Sequence, residues 1–381
     1  SMSDSRITCK ICGAKVHSVQ IHIRNDHADW TLEKYKEQYP DEPLLSAAAL
    51  AKIAEAGGSH KAAATRSLSD TTTSGVKMLH DVFGLGAAAG ALNPRGEPIP
   101  ITVLDGSDHP EFVPEVDTNY VYELESLKNT LLGIELNMPT YVWGHAGTGK
   151  TTLLEQICAR TKRPMLRVQH TANTEESHIL GQWTAKGGET QFELGPLPLA
   201  MKHGWMYLAD EYDFAMPSVL SVYQPVLEGK SLVIKEADAE NRIIKPHPNF
   251  RFVATGNTNG AGDETGLYQG TNIQNAANYD RFAMVVQILY MKPELETQVL
   301  INQALIPREH ASRIVDFANR VRESYDGNKI SSTISPRTLI NAAKIGQRRG
   351  SYRAGIGLSF TSKLSRVDRE VCDGLAQRVF G

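Results

Sequence analysis

The middle of this chain is predicted to be α/β, a P-loop parallel sheet flanked by helices, with a C-terminal helical lid domain after it and a small N-terminal Cys/His unit before it. Three observations predict this. Apolar runs alternate with helical patterns through the middle of the chain, as they do where helices cover both faces of a parallel sheet. The stretch "GHAGTGKT" (144–151) follows one such run and opens a helical segment, "KTTLLEQICART". At the front, "CKICGAKVHSVQIHIRNDH" (9–27) sets two thiols two residues apart and follows them with three histidines.

Residues 6–40 read as a compact metal-binding finger. Cys9, Cys12, His22 and His27 give C-x2-C-x9-H-x4-H, whereas Cys9, Cys12, His17 and His22 give C-x2-C-x4-H-x4-H. Either set suits tetrahedral Zn²⁺. The first is preferred, because a nine-residue gap holds a tight hairpin and the start of a helix carrying both histidines; thiols packed without metal are the competing reading. Residues 41–75 hold an Ala-rich helix, "SAAALAKIAEAGG", stopped by Gly57 and Gly58, and then a Ser/Thr/Ala-rich flexible linker. The Pro/Gly-dense stretch from Asn93 to Pro114 is expected to be an extended arm into the main domain, which spans 76–291. Candidate strands are "TYVW" (140–143), "MLRVQ" (165–169), "WMYLA" (205–209), "FRFVATG" (250–256) and "AMVVQIL" (283–289). From Pro293 onward only helical patterns remain, so 292–381 is expected to be a helical domain.

The P-loop pattern G-x-x-x-x-G-K-[ST] has a stated chemistry. Its glycines let the backbone wrap a phosphate, N–H groups and the helix N-terminus face the anion, Lys150 can reach the β and γ phosphates, and the Thr151 hydroxyl can hold Mg²⁺. Such a cradle needs an acidic partner, and "WMYLADEYD" ends an apolar strand in Asp210 and Glu211. Asp210 is expected to hold the magnesium shell and Glu211 to orient and deprotonate the attacking water. Asn257, at the end of "FRFVATG", can polarise that water. Arg281 in "NYDRF" and Arg337 in "SPRTLI" are forks suited to a transferring phosphoryl group.

Taken in this order, GHAGTGKT, LADEYD, ATGNT, NYDRF and SPRT resemble the MoxR group of AAA+ ATPases. The segments "DVFG", "FVPEVD", "DEYDFAMPSV", "IKPHPNFRFVATGNTNG" and "TGLYQGTNIQNAANYDRF" are similar to the ATPase subunits of aerobic cobaltochelatases, and the resemblance runs from about Val82 to Ala343. It implies that Gly144, His145, Ala146, Gly147, Thr148, Gly149, Lys150 and Thr151, with Thr152 beside them, form Walker A and bind ATP. It further implies Asp210 and Glu211 as Walker B, Asn257 as sensor 1, Arg281 as an arginine finger reaching a neighbour's nucleotide, and Arg337 as sensor 2. A homo-oligomeric ring, usually a hexamer, and a partner with a von Willebrand A domain follow from the same resemblance, as does a motor that remodels or activates a partner complex such as a cobaltochelatase-like metal-insertion machine. Segments 172–197 and 232–245 match the family's two insertions, which the resemblance implies line the pore or the partner face; passive surface hairpins are the equal alternative. The front unit, "CKICGAKVHSVQIHIRNDHADWTLEKYKEQYP", is similar to Ros/MucR zinc fingers, which bind DNA.

Composition bounds the rest. The chain has 381 residues, 41% hydrophobic and 22% charged, enough for a sizeable core in two or three domains. No apolar run approaches a membrane span and no charged-then-apolar leader opens the chain, so the cytoplasm is the expected location. Ser1 ahead of Met2 reads as the scar of a cleaved tag. Four cysteines, only two of them close-spaced, are no disulfide framework. A net charge of −3, and 7 Lys+Arg against 8 Asp+Glu in residues 1–60, give no phosphate-tracking patch. The alternative reading, a DNA- or protein-targeting finger that uses the ring for delivery, therefore leans toward protein. Residues 337–366 carry 7 Lys+Arg and no acid, which suits a solvated face or an acidic partner above nucleic acid.

Overall fold

The computed structural model describes residues 6–51, 75–86, 88, 90–106, 109–145, 147–258 and 280–381. At the front, Ile7–Thr8 pairs antiparallel with Lys15–Val16 around a turn that Gly13 closes at φ +78°. Helices α1 (Val19–Asp26) and α2 (Leu32–Gln38) follow, capped by the Ser18 and Thr31 side chains. Cys9, Val19, Ile23, Leu32 and Tyr35 form their small core. The chain then folds back on the finger past residue 40: Val19 N–H donates to the Leu44 carbonyl at 3.0 Å and Ser46 N–H to the His17 carbonyl at 2.8 Å. The Ala-rich helix begins at Ala47, and the expected linker lies outside the described residues.

The expected extended arm is a correction. Pro100–Val103 pairs antiparallel with Gly75–Met78, and a 3-10 turn at Pro110–Phe112 follows. Ile101, Val103 and Leu104 are buried, so the segment belongs to the domain core. Alternating apolar residues inside a Pro/Gly-rich stretch carried that information, and turn-forming composition hid it.

All five expected strands form: β1 (Thr140–Trp143), β2 (Met165–Gln169), β3 (Met206–Asp210), β4 (Arg251–Gly256) and β5 (Met284–Gln287). They make one parallel sheet in the order β5-β1-β4-β3-β2. Side chains alternate between two cores, as the strand period of two requires. Tyr141, Tyr207, Ala209, Phe252 and Ala254 face one, with Tyr212 and Tyr223. Val142, Met206, Leu208, Val253 and Val286 face the other, against α3 (Leu124–Glu135) and α4 (Lys150–Arg160). Each of the two segments expected to be insertions contains a hairpin. Gly181–Lys186 pairs with Glu189–Leu194 ahead of α5 (Pro196–His203), and Leu232–Val233 pairs with Ile243–Ile244.

After β5 come α6 (Pro293–Ala304), α7 (Arg308–Asp326), α8 (Pro336–Arg349), α9 (Tyr352–Ser359) and α10 (Arg366–Phe380). They have their own core, with Leu300, Ile314, Phe317, Leu339, Ile356 and Cys372 among its members. A buried bidentate pair joins α6 to α7, Arg322 Nη1 to Glu296 Oε1 at 2.6 Å and Nη2 to Oε2 at 3.0 Å. Among the described residues no helix is long and apolar enough to cross a membrane.

Candidate active site and metal centre

The sheet brings the phosphate loop and the acidic pair together because β1, β4 and β3 are neighbours and all end on the same side. The loop leaves β1 at Gly144, whose N–H donates to the Gly256 carbonyl of β4 at 3.1 Å. Gly147 (φ +78°) and Gly149 (φ +89°) give it turns that a side chain would strain, and Gly149 caps α4. Ala146 lies outside the described residues. His145 stacks on Tyr290, ring centroids 5.8 Å apart.

Lys150 curls back into the loop. Its Nζ donates to the carbonyls of Gly144 (2.7 Å) and His145 (3.0 Å) and to Asn257 Oδ1 (3.1 Å). Burial pulls the amine pKa down to about 8, against the pull of Asp213, Asp210 and Glu211. A buried cation held by three neutral oxygens, with no carboxylate paired to it among the described residues, fits an incoming anion such as a phosphate.

Asp210 ends β3 at 3% exposure. Its Oδ1 accepts from Thr151 Oγ1 at 3.0 Å and from the Thr255 hydroxyl, and its Oδ2 accepts from Arg167 Nε and Nη2, both at 2.6 Å. Thr151 and Asp210 thus present oxygens side by side at the foot of the loop, a hard donor set that fits Mg²⁺. Glu211 takes a left-handed backbone (φ +53°), costly for a side-chain-bearing residue and kept only because its neighbours hold it. Its N–H donates to Thr255 Oγ1 at 3.1 Å, and its carboxylate accepts from Gln169 Nε2 at 2.8 Å. Asn257 follows β4, and the buried Asp213 carboxylate accepts its N–H at 2.9 Å. Burial raises the Asp213 pKa, and hydrogen bonds from Asn257 and Thr258 oppose that rise.

The helical domain closes the loop from above. A cavity of about 160 Å³ is lined by Gly147, Thr148, Gly149 and Thr152 on one side and by Met291, Pro336, Arg337 and Ile340 on the other. Ser335, which caps α8, packs where a Cβ on Gly147 would stand. Arg281 is placed differently. It does not line this cavity, and its Nε donates to Glu228 Oε1 at 2.8 Å, just ahead of β5.

Arg167, Gln169, Thr255 and Asp213 were not singled out from the sequence. A signal existed for two of them: in "MLRVQ" Arg167 and Gln169 alternate on one face of an otherwise apolar strand, and parallel register puts Gln169 opposite Asp210.

Cys9, Cys12, His22 and His27 each offer one donor atom, all within 4.8 Å of one another, a group able to hold a metal ion. Cys12 Sγ lies 3.1 Å from His22 Nε2, which lies 3.2 Å from His27 Nε2. Asp26 Oδ2 sits 2.8 Å from His22 Nδ1 and so turns Nε2 toward the cluster. His17 points elsewhere, with Nδ1 2.8 Å from Ser46 Oγ. Of the two ligand sets the sequence allows, the structure assembles the first.

Comparison with known proteins agrees with this geometry. The AAA domain (dynein-related subfamily) model matches residues 139–282, and the CbbQ/NirQ/NorQ C-terminal model matches 296–379. The chain is 33% identical to the aerobic cobaltochelatase subunit CobS of Sinorhizobium sp over 280 residues, 71% of this chain and 83% of that one. It is 24% identical to protein NorQ of Paracoccus denitrificans, covering 72% and 95%. Among solved structures, the RuvB Holliday junction branch migration motor of Thermotoga maritima aligns at a TM-score of 0.40 and 12% identity, over 70% and 72% of the two chains. The chain belongs to the AAA+ ATPases of the MoxR type, close to CobS, and is an ATP-hydrolysing enzyme.

Proposed function

We propose that this chain is the motor subunit of a homo-oligomeric ring, a hexamer by family habit, that couples Mg²⁺-dependent ATP hydrolysis to remodelling or activating a partner complex. The observation that carries the reading is the convergence of Lys150, Thr151, Asp210, Glu211 and Asn257 at one end of the sheet, with Arg337 over them. The loop from Gly144 to Thr151, His145, Ala146 and Thr148 included, together with Thr152, holds the polyphosphate through backbone N–H groups, and Lys150 supplies the charge that the anion meets. Thr151 and Asp210 would hold Mg²⁺, which would supply charge stabilisation to the phosphate oxygens. Glu211 orients the attacking water and takes its proton, and Asn257 hydrogen-bonds between that water and the terminal phosphate. Arg337 comes from the helical domain, so nucleotide binding pulls lid and core together. Arg281 serves the nucleotide of the next subunit, which its position away from its own chain's cavity supports.

In this reading the finger (6–40) and linker (41–75) precede a core (76–291) and lid (292–381), and the finger is a docking element. Its two-sulfur, two-nitrogen donor set suits Zn²⁺. The similarity to a cobaltochelatase subunit supports a metal-insertion machine with a von Willebrand A partner as the complex served. Mixing tests the ring. Arg281→Ala and Glu211→Gln are each expected to be nearly inactive alone, and a mixture is expected to regain ATP turnover because an intact Glu211 then meets a neighbour's Arg281. Additive, unrescued activity overturns the shared site.

A further inference from the structure

We propose that Asp213 is a positioning residue for hydrolysis: its carboxylate locks the Asn257–Thr258 segment to the turn that carries Glu211, so that the water-directed carboxylate and the phosphate-directed amide hold one fixed spacing. The proposal deepens the roles given to Glu211 and Asn257 above and rests on them. Asp213 lies in the 3-10 turn Tyr212–Phe214, immediately after Glu211, and is fully buried. Its Oδ2 accepts three hydrogen bonds, from Asn257 N (2.9 Å), Thr258 N (3.0 Å) and Thr258 Oγ1 (3.0 Å). The Thr258 carbonyl accepts from the Tyr141 hydroxyl at 2.7 Å, so the segment is gripped on its donor and acceptor sides. Thr255 braces in the opposite direction: from β4 it accepts the Glu211 N–H and donates to Asp210. Gly256 leaves room for this, because a Cβ there would fall on the Tyr141 hydroxyl and against the Asp213 carboxylate.

The other oxygen, Oδ1, is buried without a hydrogen-bond partner among the described residues. An orphaned carboxylate oxygen costs stability, so what the position gains is the geometry imposed through Oδ2. Acceptor geometry and negative charge can be separated, because an asparagine keeps an oxygen for the same three donors and loses the charge.

The full chain is compared with Asp213→Ala and Asp213→Asn for ATP turnover and for affinity toward a non-hydrolysable ATP analogue. For the alanine variant kcat is expected to fall about 10- to 100-fold, with analogue affinity within about threefold of the parent. The asparagine variant is expected to recover turnover to within about fivefold. Unchanged kcat in the alanine variant, affinity lost in step with kcat, or an asparagine variant as inactive as alanine each overturns the proposal. If the alanine variant does not fold, Thr258→Val replaces it, expected to lower kcat several-fold at unchanged affinity; turnover equal to the parent overturns the proposal. A parent with no ATP turnover refutes the hydrolytic roles themselves, whereas a working parent with insensitive Asp213 and Thr258 variants refutes only the clamp.

Discussion

Lys150, Asp210 and Glu211 were legible as residues because each belongs to a short pattern whose chemistry dictates residue type: a cradle glycine next to a lysine, and two carboxylates ending an apolar strand. What no pattern showed is how they are held. Arg167 and Gln169 reach the acidic pair from β2, 43 and 42 residues away in the chain; their alternation in "MLRVQ" marks a polar face, and it takes the register of β2 on β3 to aim that face at Asp210. The Lys150 environment has a measurable consequence. With its pKa near 8 in the free chain the amine is already losing its proton in mildly alkaline solution, and an adjacent phosphate restores it. Nucleotide binding is therefore expected to take up a proton at about pH 9 and none at about pH 6.5, with affinity weakening up to about tenfold per unit as pH rises past 8. Calorimetry in two buffers of different ionisation heat checks this; equal heats in both buffers at the higher pH contradict it.

Among the elements, the sheet strands were readable from sequence and the front segments less so. A strand covered on both faces reads as a near-continuous apolar run, as "MYLA" and "FVA" do, whereas Pro100–Val103 alternates and lies among prolines and glycines that suggest open chain. In the finger, spacing allowed two ligand sets, and the hydrogen bond between His17 and Ser46 separates them. Bound-metal assay is expected to find about one Zn²⁺ per chain in the parent and in His17→Ala, and clear loss in His27→Ala and Cys12→Ser with ATP turnover retained. Metal lost from His17→Ala would contradict the assignment. Where loop meets lid, Gly147→Ala puts a methyl against Ser335 and strains a φ of +78°. It is expected to destabilise the chain by about 1–2 kcal/mol. Thermal unfolding should show part of this recovered in the Gly147→Ala, Ser335→Gly double variant, because only the steric share is relieved.

At the scale of the molecule, core and lid were each legible, one from strand and helix alternation and the other from helix periodicity alone. Their contact was not, because Gly147, Ser335 and Arg337 meet across almost 190 residues of chain. The role proposed for Arg281 at a neighbour's nucleotide rests on resemblance, since in its own chain Arg281 forms an ion pair with Glu228. Glu211, in its strained turn beside Asp210, is proposed as the base for Mg²⁺-dependent ATP hydrolysis. Steady-state ATP turnover of the parent and of Glu211→Gln, measured beside nucleotide affinity, decides this. The expected result is Mg²⁺-dependent turnover in the parent and a fall of about 100-fold or more in the variant at nearly unchanged affinity. Equal turnover in the two proteins, or a parent that binds ATP and Mg²⁺ without hydrolysing it, would contradict the account.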